Sequence, residues 1–198
     1  MNFFKGRISV CIVLSFFTSL LFFSCRTLNE VNVVEKNIAS EYYKIADAYV
    51  DFKKYDKAIT YYKLSMREPS LKNAAYYKLG RTYALQGSFA DAEKVFFNLL
   101  KLDENNQSLK VSLAYVYGKN GKIEKALELY SELLDSNPDD SEILVNYILL
   151  LITNNNLDEA QSQLLILEQK FPDSKNIEDL QNSIYTKLSD TEKDSNSD

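Results

Sequence analysis

A repeat of 34 residues is the feature of this sequence that most constrains its fold. A column of alanines recurs at that spacing: Ala58, Ala92, Ala126 and Ala160. Two columns of mostly aromatic residues recur with it: Tyr49, Tyr83, Tyr117 and Leu151, and then Tyr62, Phe96, Tyr130 and Leu164. A repeat of this length and content is typical of stacked helix–turn–helix units. The sequence therefore predicts an all-α fold.

The columns have distinct roles in the predicted helix pairs. Small residues let two antiparallel helices approach closely, and a further small column at Ala46, Gly80 and Ala114 fails only at Ile148. Gly87 and Gly121 fall between paired helices, where a left-handed residue commonly ends the first helix. Ser88 and Asn156, each followed three residues later by an acidic residue, are predicted to cap the second helices.

Two copies carry a clear family resemblance: "YYKLGRTYALQGSFADAEKVFFNLLKLDENN" and "VSLAYVYGKNGKIEKALELYSELLDSNPDD". They resemble the tetratricopeptide repeat (TPR) family, and the resemblance implies a superhelical solenoid. Four helix-turn-helix repeats are expected, at residues 39–72, 73–106, 107–140 and 141–174. The fourth departs from the family pattern at Tyr147 and Ile148, which stand where a Leu-Gly pair is usual.

The end of the chain is predicted to close the solenoid. A helical stripe of apolar residues predicts a capping helix over residues 175–188: Ile177, Leu180, Ile184 and Leu188. Residues 189–198 contain no hydrophobic residue and are expected to be disordered.

The N-terminal segment differs in kind from the repeats. Lys5 and Arg7 precede an uncharged run from Ile8 to Phe23. This run is short for a bilayer-spanning helix, which favours a secretory signal peptide over residues 1–24. The alternative is an uncleaved anchor with the repeats in the cytoplasm.

Cys25 follows the apolar run directly. The pattern "LFFSC" resembles a bacterial lipoprotein signal, although Phe22 and Phe23 depart from the usual leucine and small residue. The resemblance implies that Cys25 is lipidated and becomes the mature N-terminus, with residues 25–38 as a tether. Ordinary cleavage nearby, leaving a free thiol, is the alternative. Arg26, rather than an acidic residue, favours the outer membrane, with the protein facing the periplasm.

Composition excludes several classes of function. The formal net charge is −5, and the signal segment carries only basic charges, so nucleic-acid binding is not expected. The chain contains no histidine, which makes a zinc or copper site a poor prospect. No nucleophile elbow or phosphate-binding loop is present. We therefore expect no catalytic residue, no metal and no cofactor, and predict that the chain is not an enzyme.

The family resemblance implies a ligand groove lined by the first helix of each repeat. The expected groove residues are Tyr43, Asp47, Tyr77, Arg81, Val111, Tyr115, Val145 and Leu149. Tyrosine offers contact area with a polar end, which suits peptide recognition. The alternative is that these tyrosines pack between repeats. Tyr43 and Asp47 stand where a lysine and an asparagine would be expected for a carboxylate clamp, so none is predicted.

The run "ILVNYILLLI", Ile143 to Ile152, is apolar on nearly every face. Either the capping helix and its neighbours bury it, or it forms an exposed contact surface. The predicted function is a membrane-anchored TPR adaptor or scaffold in the bacterial cell envelope, with a protein or peptide ligand in the groove. Envelope or outer-membrane protein assembly is one setting. The alternative is a structural lipoprotein that self-associates through the fourth repeat.

Overall fold

The computed structural model describes residues 33–195, and within that range it contains nine helices and no strand. The helices are α1 (33–51), α2 (Tyr55–Ser65), α3 (Lys72–Gln86), α4 (Phe89–Leu100), α5 (Gln107–Lys119), α6 (Ile123–Ser136), α7 (Ser141–Thr153), α8 (Leu157–Lys170) and α9 (Ile177–Ser195). The chain divides into two compact units, Met1–Tyr76 and Tyr77–Asp198, whose boundary lies within α3.

Consecutive helices pair as the repeat predicts. In the first unit, the ring of Tyr49 on α1 stacks on that of Tyr61 on α2, with 5.4 Å between centroids. In the second unit α5 packs against α6, α7 against α8, and α9 against both α8 and α7. The prediction of an all-α solenoid of helix–turn–helix repeats is confirmed.

Small residues mark the places where paired helices cross. The alanines of both small columns have no exposed surface: Ala46, Ala58, Ala92, Ala114, Ala126 and Ala160. At Gly80 the approach is closer still, because a Cβ atom there would lie 2.7 Å from Cγ1 of Val95 and 3.0 Å from Cε1 of Phe96. The 34-residue repeat of small residues is therefore a repeat of close helix contacts.

Each repeat also has one left-handed residue between its two helices. Gly87 (φ 85°) and Gly121 (φ 75°) adopt this conformation, as predicted. The structure adds Lys53 (φ 56°) and Asn155 (φ 61°), which occupy the same place in the first and fourth repeats. Asparagine tolerates this region better than most residues, whereas lysine gains nothing there to offset the steric cost of its Cβ.

The predicted helix caps were wrong. Neither Ser88 nor Asn156 makes a side-chain capping hydrogen bond, because ψ at these residues is 62° and 65° rather than fully extended. The side chains that do cap lie at the first helices of two repeats. The Asn106 side chain accepts from the backbone of Leu109, and Asp140 accepts from Glu142 and Ile143.

The apolar run of the fourth repeat is buried. Ile143, Ile148 and Leu151 lie in one core cluster with apolar side chains of α6, α8 and α9. Tyr147 keeps a polar contact, since its hydroxyl donates to Oε1 of Glu159 at 2.7 Å. Burial and then this hydrogen bond raise the pKa of Tyr147 to about 12. Within the run Leu149 alone of the large apolar residues is exposed, so little apolar surface is left for self-association through the fourth repeat.

Both ends of the described region are more helical than expected. Residues 33–38, expected to belong to a tether, form the first turns of α1. At the other end α9 continues to Ser195. The prediction of disorder after Leu188 was therefore wrong for residues 189–195. No glycine or proline follows Leu188, so nothing in the sequence stops the helix.

The signal segment, Cys25 and residues 26–32 lie outside the described residues. None of the helices within residues 33–195 is both long and apolar enough to cross a membrane.

Replacing Gly80 by alanine tests the close helix contact. We expect Gly80→Ala to lower the free energy of unfolding by about 1–3 kcal/mol, because the new methyl overlaps Val95. Gly118→Ala is the matched control, since its Cβ would meet the end of the flexible Leu150 side chain at 2.9 Å. Urea unfolding followed by circular dichroism measures both. Equal stability of the two variants would contradict the packing role of Gly80.

Replacing Lys53 by glycine tests the left-handed position. Lys53→Gly should raise the free energy of unfolding by about 0.5–1 kcal/mol, because glycine adopts a φ of 56° without steric cost. Lys57→Gly, at an exposed residue inside α2, should instead destabilise by about 1 kcal/mol, because glycine is a poor helix former. The same unfolding assay applies, and stabilisation by both substitutions would disprove the assignment.

Candidate functional site

A cleft of about 510 Å³ opens in the second unit between the first helices of three repeats, α3, α5 and α7. Its wall is a mixture of aromatic, aliphatic, polar and charged side chains. It is lined by Tyr77, Arg81, Ala84, Leu85, Phe96, Gln107, Ser108, Val111, Ser112, Tyr115, Val116, Asp140, Glu142, Ile143 and Asn146.

The cleft brings together half of the residues predicted for the groove. Tyr77 and Arg81 come from α3, and Val111 and Tyr115 come from α5. Each pair is separated by four residues, so both members lie on one face of their helix. The repeat then sets the two helices side by side, which puts all four side chains on a common surface.

Two predicted residues of α7 do not line this cleft. Val145 is only 9% exposed and belongs to the core cluster that also contains Leu180 and Ile184 of α9, so its prediction as a groove residue is corrected. Leu149 is exposed but lies outside the lining. Glu142 and Asn146 form the α7 wall instead. The fifth place of the fourth repeat thus serves the core, because this repeat is followed by the capping helix.

Tyr43 and Asp47 lie in the first unit and contact the same side chain of α2. The ring of Tyr43 meets that of Tyr62 edge-on, with 5.6 Å between centroids. The Tyr62 hydroxyl donates to Oδ1 of Asp47 at 2.5 Å. These residues therefore hold α1 and α2 together within one repeat. This packing differs from the packing between repeats that the sequence left open for Tyr43.

Sequence reasoning missed most of the polar wall. Ser108 and Ser112 stand three residues before Val111 and Tyr115, on the same side of α5, and this helical spacing was the available signal. Three more polar residues of the wall lie at the starts of helices: Gln107, Asp140 and Glu142. At such positions a polar residue is readily explained by helix capping, so the sequence gives no separate signal for a role in the cleft. Phe96 comes from the second helix of its repeat, which the family pattern does not assign to the groove.

The charges on the cleft are of both signs. Arg81 is exposed, and its side chain makes no ion pair or hydrogen bond with any residue of the described region. Asp140 is already engaged: Oδ1 accepts from the backbone of Glu142 (3.0 Å) and Ile143 (3.2 Å), and Oδ2 from Nε2 of Gln107 (3.1 Å). The Glu142 carboxylate has no such partner among the described residues. Arg81 and Glu142 are therefore the charges available to a ligand.

Two tyrosines of the cleft, Tyr77 and Tyr115, each contact a neighbouring side chain. Tyr77 packs on buried Phe96, with 5.9 Å between ring centroids. Tyr115 is 45% exposed, and Nζ of Lys119 lies 5.7 Å from its ring centre. Beneath them, burial and then the nearby Tyr115 and Glu142 raise the pKa of Tyr130. The Tyr130 hydroxyl is therefore neutral at physiological pH.

The cleft has the features of a binding surface. Among the described residues no group of three or more cysteine, aspartate or glutamate side chains is placed to hold a metal ion. What the wall offers is contact area from rings and aliphatic side chains, one guanidinium, one available carboxylate, and the amide of Asn146.

Two TPR family models match the chain, one at residues 43–106 and one at residues 83–140 and 117–184. A protein of Treponema pallidum named "Uncharacterized lipoprotein" is 28% identical over 79% of this chain and 80% of its own length. A TPR protein of Parabacteroides merdae has a similar fold, with a TM-score of 0.62 and 24% identity over 78% of this chain and 61% of that one.

A second solved structure, described as "YrrB: a TPR protein with an unusual peptide-binding site", gives a TM-score of 0.55 at 22% identity over 76% of each chain. At these identities the solved structures establish the fold alone. The family models together span residues 43–184, which is most of the chain, and they agree with the helix pairs and the repeat of small residues. The chain belongs to the tetratricopeptide repeat family, whose fold typically serves as a scaffold for protein interactions.

Proposed function

We propose that this chain is a membrane-anchored TPR adaptor of the bacterial cell envelope, facing the periplasm, whose cleft binds a peptide segment of a partner protein. The observation that carries the proposal is the convergence of Tyr77, Arg81, Val111 and Tyr115 on one cleft. A scaffold of this kind needs no catalytic residue and no cofactor, and envelope or outer-membrane protein assembly is the setting in which we expect it to act.

The chemistry of the wall defines the ligand. The guanidinium of Arg81 is suited to bind a carboxylate with two parallel hydrogen bonds. The Glu142 carboxylate, on the opposite helix, favours a basic group. Between them, Tyr77, Val111 and Tyr115 offer an aromatic and aliphatic floor. An extended segment with an acidic residue, an apolar residue and a basic residue in that order along the cleft fits all three.

A peptide ligand is favoured over a small molecule. The cleft is open and is lined by the first helices of three repeats, so a ligand that fills it has to contact side chains from all three. The YrrB structure, whose description names a peptide-binding site, has the same fold and adds support by analogy.

The membrane anchor rests on the N-terminal sequence and on one relative. Cys25 follows an apolar run and a small residue, and the Treponema pallidum relative that spans most of this chain is named a lipoprotein. Two or more acyl chains give stable membrane attachment without any contribution from the protein surface. We favour the outer membrane because Arg26 follows the cysteine.

Substituting the two cysteines separately tests the anchor. Cys25→Ala should release the protein from the membrane fraction or leave its signal uncleaved, and should abolish incorporation of labelled palmitate. Cys11→Ala, in the apolar run, is the matched control and should leave both unchanged. Cell fractionation and intact-mass spectrometry measure the outcome. If Cys25→Ala kept the label and the mature mass, the cysteine would not be the lipidation site.

Photo-cross-linking in cells tests the cleft. Benzoylphenylalanine replaces Ser112 on the cleft wall, or Ser131 on the exposed side of α6 as the control position. We expect adducts with a specific envelope protein from position 112 and none from position 131. Adding Arg81→Glu should lower the adduct yield about tenfold, which corresponds to 1.4 kcal/mol of binding free energy.

Arg67→Glu is the matched control for the charge change, because Arg67 is exposed but lies outside the cleft. Its adduct yield should equal that of the unsubstituted protein. Equal adducts from positions 112 and 131 would contradict binding in the cleft. If the adduct yield at position 112 were unchanged by Arg81→Glu, the ligand would not depend on an acidic group, although the cleft would remain the binding surface.

A further inference from the structure

Helix α1 carries a row of exposed apolar side chains beside the face that packs on its partner helix. Its inner side is buried at Ala39 and Ala46, and two tyrosines on it contact the Tyr61 ring of α2. Four large apolar side chains next to this inner side are exposed: Val34 (55%), Ile38 (46%), Ile45 (37%) and Phe52 (71%). We call these four residues the outer stripe. Ile38 also lines a cavity of about 560 Å³ with Leu64, Arg67 and Pro69, and more than a third of each of the four side chains stays exposed.

The spacing of the outer stripe is that of a coiled coil. Ile38, Ile45 and Phe52 are seven residues apart, and Val34 starts a second series of sevens that continues through Glu41 and Ala48. These two series occupy the a and d positions of a heptad repeat. Phe52 lies one residue past α1 but stays in helical register, because its N–H donates to the Ala48 carbonyl at 3.1 Å.

The stripe is symmetric about its own middle. If two copies of α1 pair antiparallel around a two-fold axis at residue 43, Val34 lies opposite Phe52 of the other copy. Ile38 then lies opposite Ala48, and Glu41 opposite Ile45. Every a position therefore meets a d position, as antiparallel helix pairing requires, and one patch serves both partners, as a two-fold interface requires.

The charges near the axis also complement themselves. Nζ of Lys44 lies 2.8 Å from Oε1 of Glu41, and both side chains are more than half exposed. In the paired arrangement the Glu41–Lys44 pairs of the two copies meet at the axis, so two acidic and two basic groups come together without net charge. A lipid surface fits less well, because these charged groups would then sit against the acyl region in the middle of the stripe.

From this self-complementarity we infer that the outer stripe of α1 binds a second copy of the chain, giving an antiparallel, two-fold dimer. This interface is separate from the cleft and does not depend on the proposed ligand. It also differs from self-association through the apolar run of the fourth repeat, most of which is buried.

Native mass spectrometry of the whole protein, purified with detergent from cells that express it, reads the oligomeric state directly. At concentrations from about 1 to about 100 µM we expect a dimer whose fraction rises with concentration. Ile45→Asp should lower the association constant at least about tenfold. The matched control is Ile166→Asp on α8, a position that is 39% exposed and outside the stripe, and it should have no effect.

A charge swap then tests the antiparallel arrangement. Glu41→Lys places four lysines at the axis and should abolish the dimer, whereas Glu41→Lys combined with Lys44→Glu exchanges the two charges and should restore it. The substituted residues are all exposed: Glu41, Lys44, Ile45 and Ile166. Unchanged circular dichroism and an unchanged melting temperature will show that each variant folds. A monomer throughout the concentration range would overturn the inference. The inference would also be overturned if Ile45→Asp left the association constant unchanged, or if the charge swap failed to restore the dimer.

Discussion

The close contact between the two helices of each repeat is the constraint on which the rest of the structure depends. It occurs at residues with little or no side chain: Ala46, Ala58 and Ala92 have no exposed surface, and a Cβ at Gly80 would overlap Val95 of the paired helix. Larger residues on either side of the crossing then fill the space with well-packed apolar surface. Because the contact recurs at one spacing, each repeat presents its first helix in the same way. The cleft is a product of that repetition.

The fold was predictable from sequence because it depends on periodic features. Small residues, aromatic residues and left-handed turns all recur with the repeat. A residue that departs from the pattern in one copy therefore does not change the prediction, because the equivalent residues of the other copies still support it. The fourth repeat shows this: Ile148 replaces the expected small residue, yet Ala160 keeps its place and has no exposed surface. The ends of the helices were predicted less well. The caps at Asn106 and Asp140 do recur at the 34-residue spacing, but the sequence pattern predicted caps only at the second helices. The extents of α1 and α9 depend on local geometry at the two ends of the described residues, where no neighbouring repeat reinforces them.

The candidate site was half predictable for the same reason. Tyr77, Arg81, Val111 and Tyr115 lie at equivalent places of central repeats, where the pattern holds. The prediction failed at Val145 because the fourth repeat precedes a capping helix rather than another repeat. A residue that lines the cleft in one repeat becomes core in the next when its neighbour changes. Sequence equivalence therefore does not guarantee equivalent exposure near the end of a solenoid.

Asp140 joins two tasks in one carboxylate. One oxygen holds the first turn of α7, and the other holds the Gln107 side chain on the cleft wall. A change at this position is therefore expected to alter both the start of α7 and the wall of the cleft. The side chains of Arg81 and Glu142 make no such contacts with the described residues. Substitutions at those two positions should change the charges of the cleft while the helices that carry them stay intact.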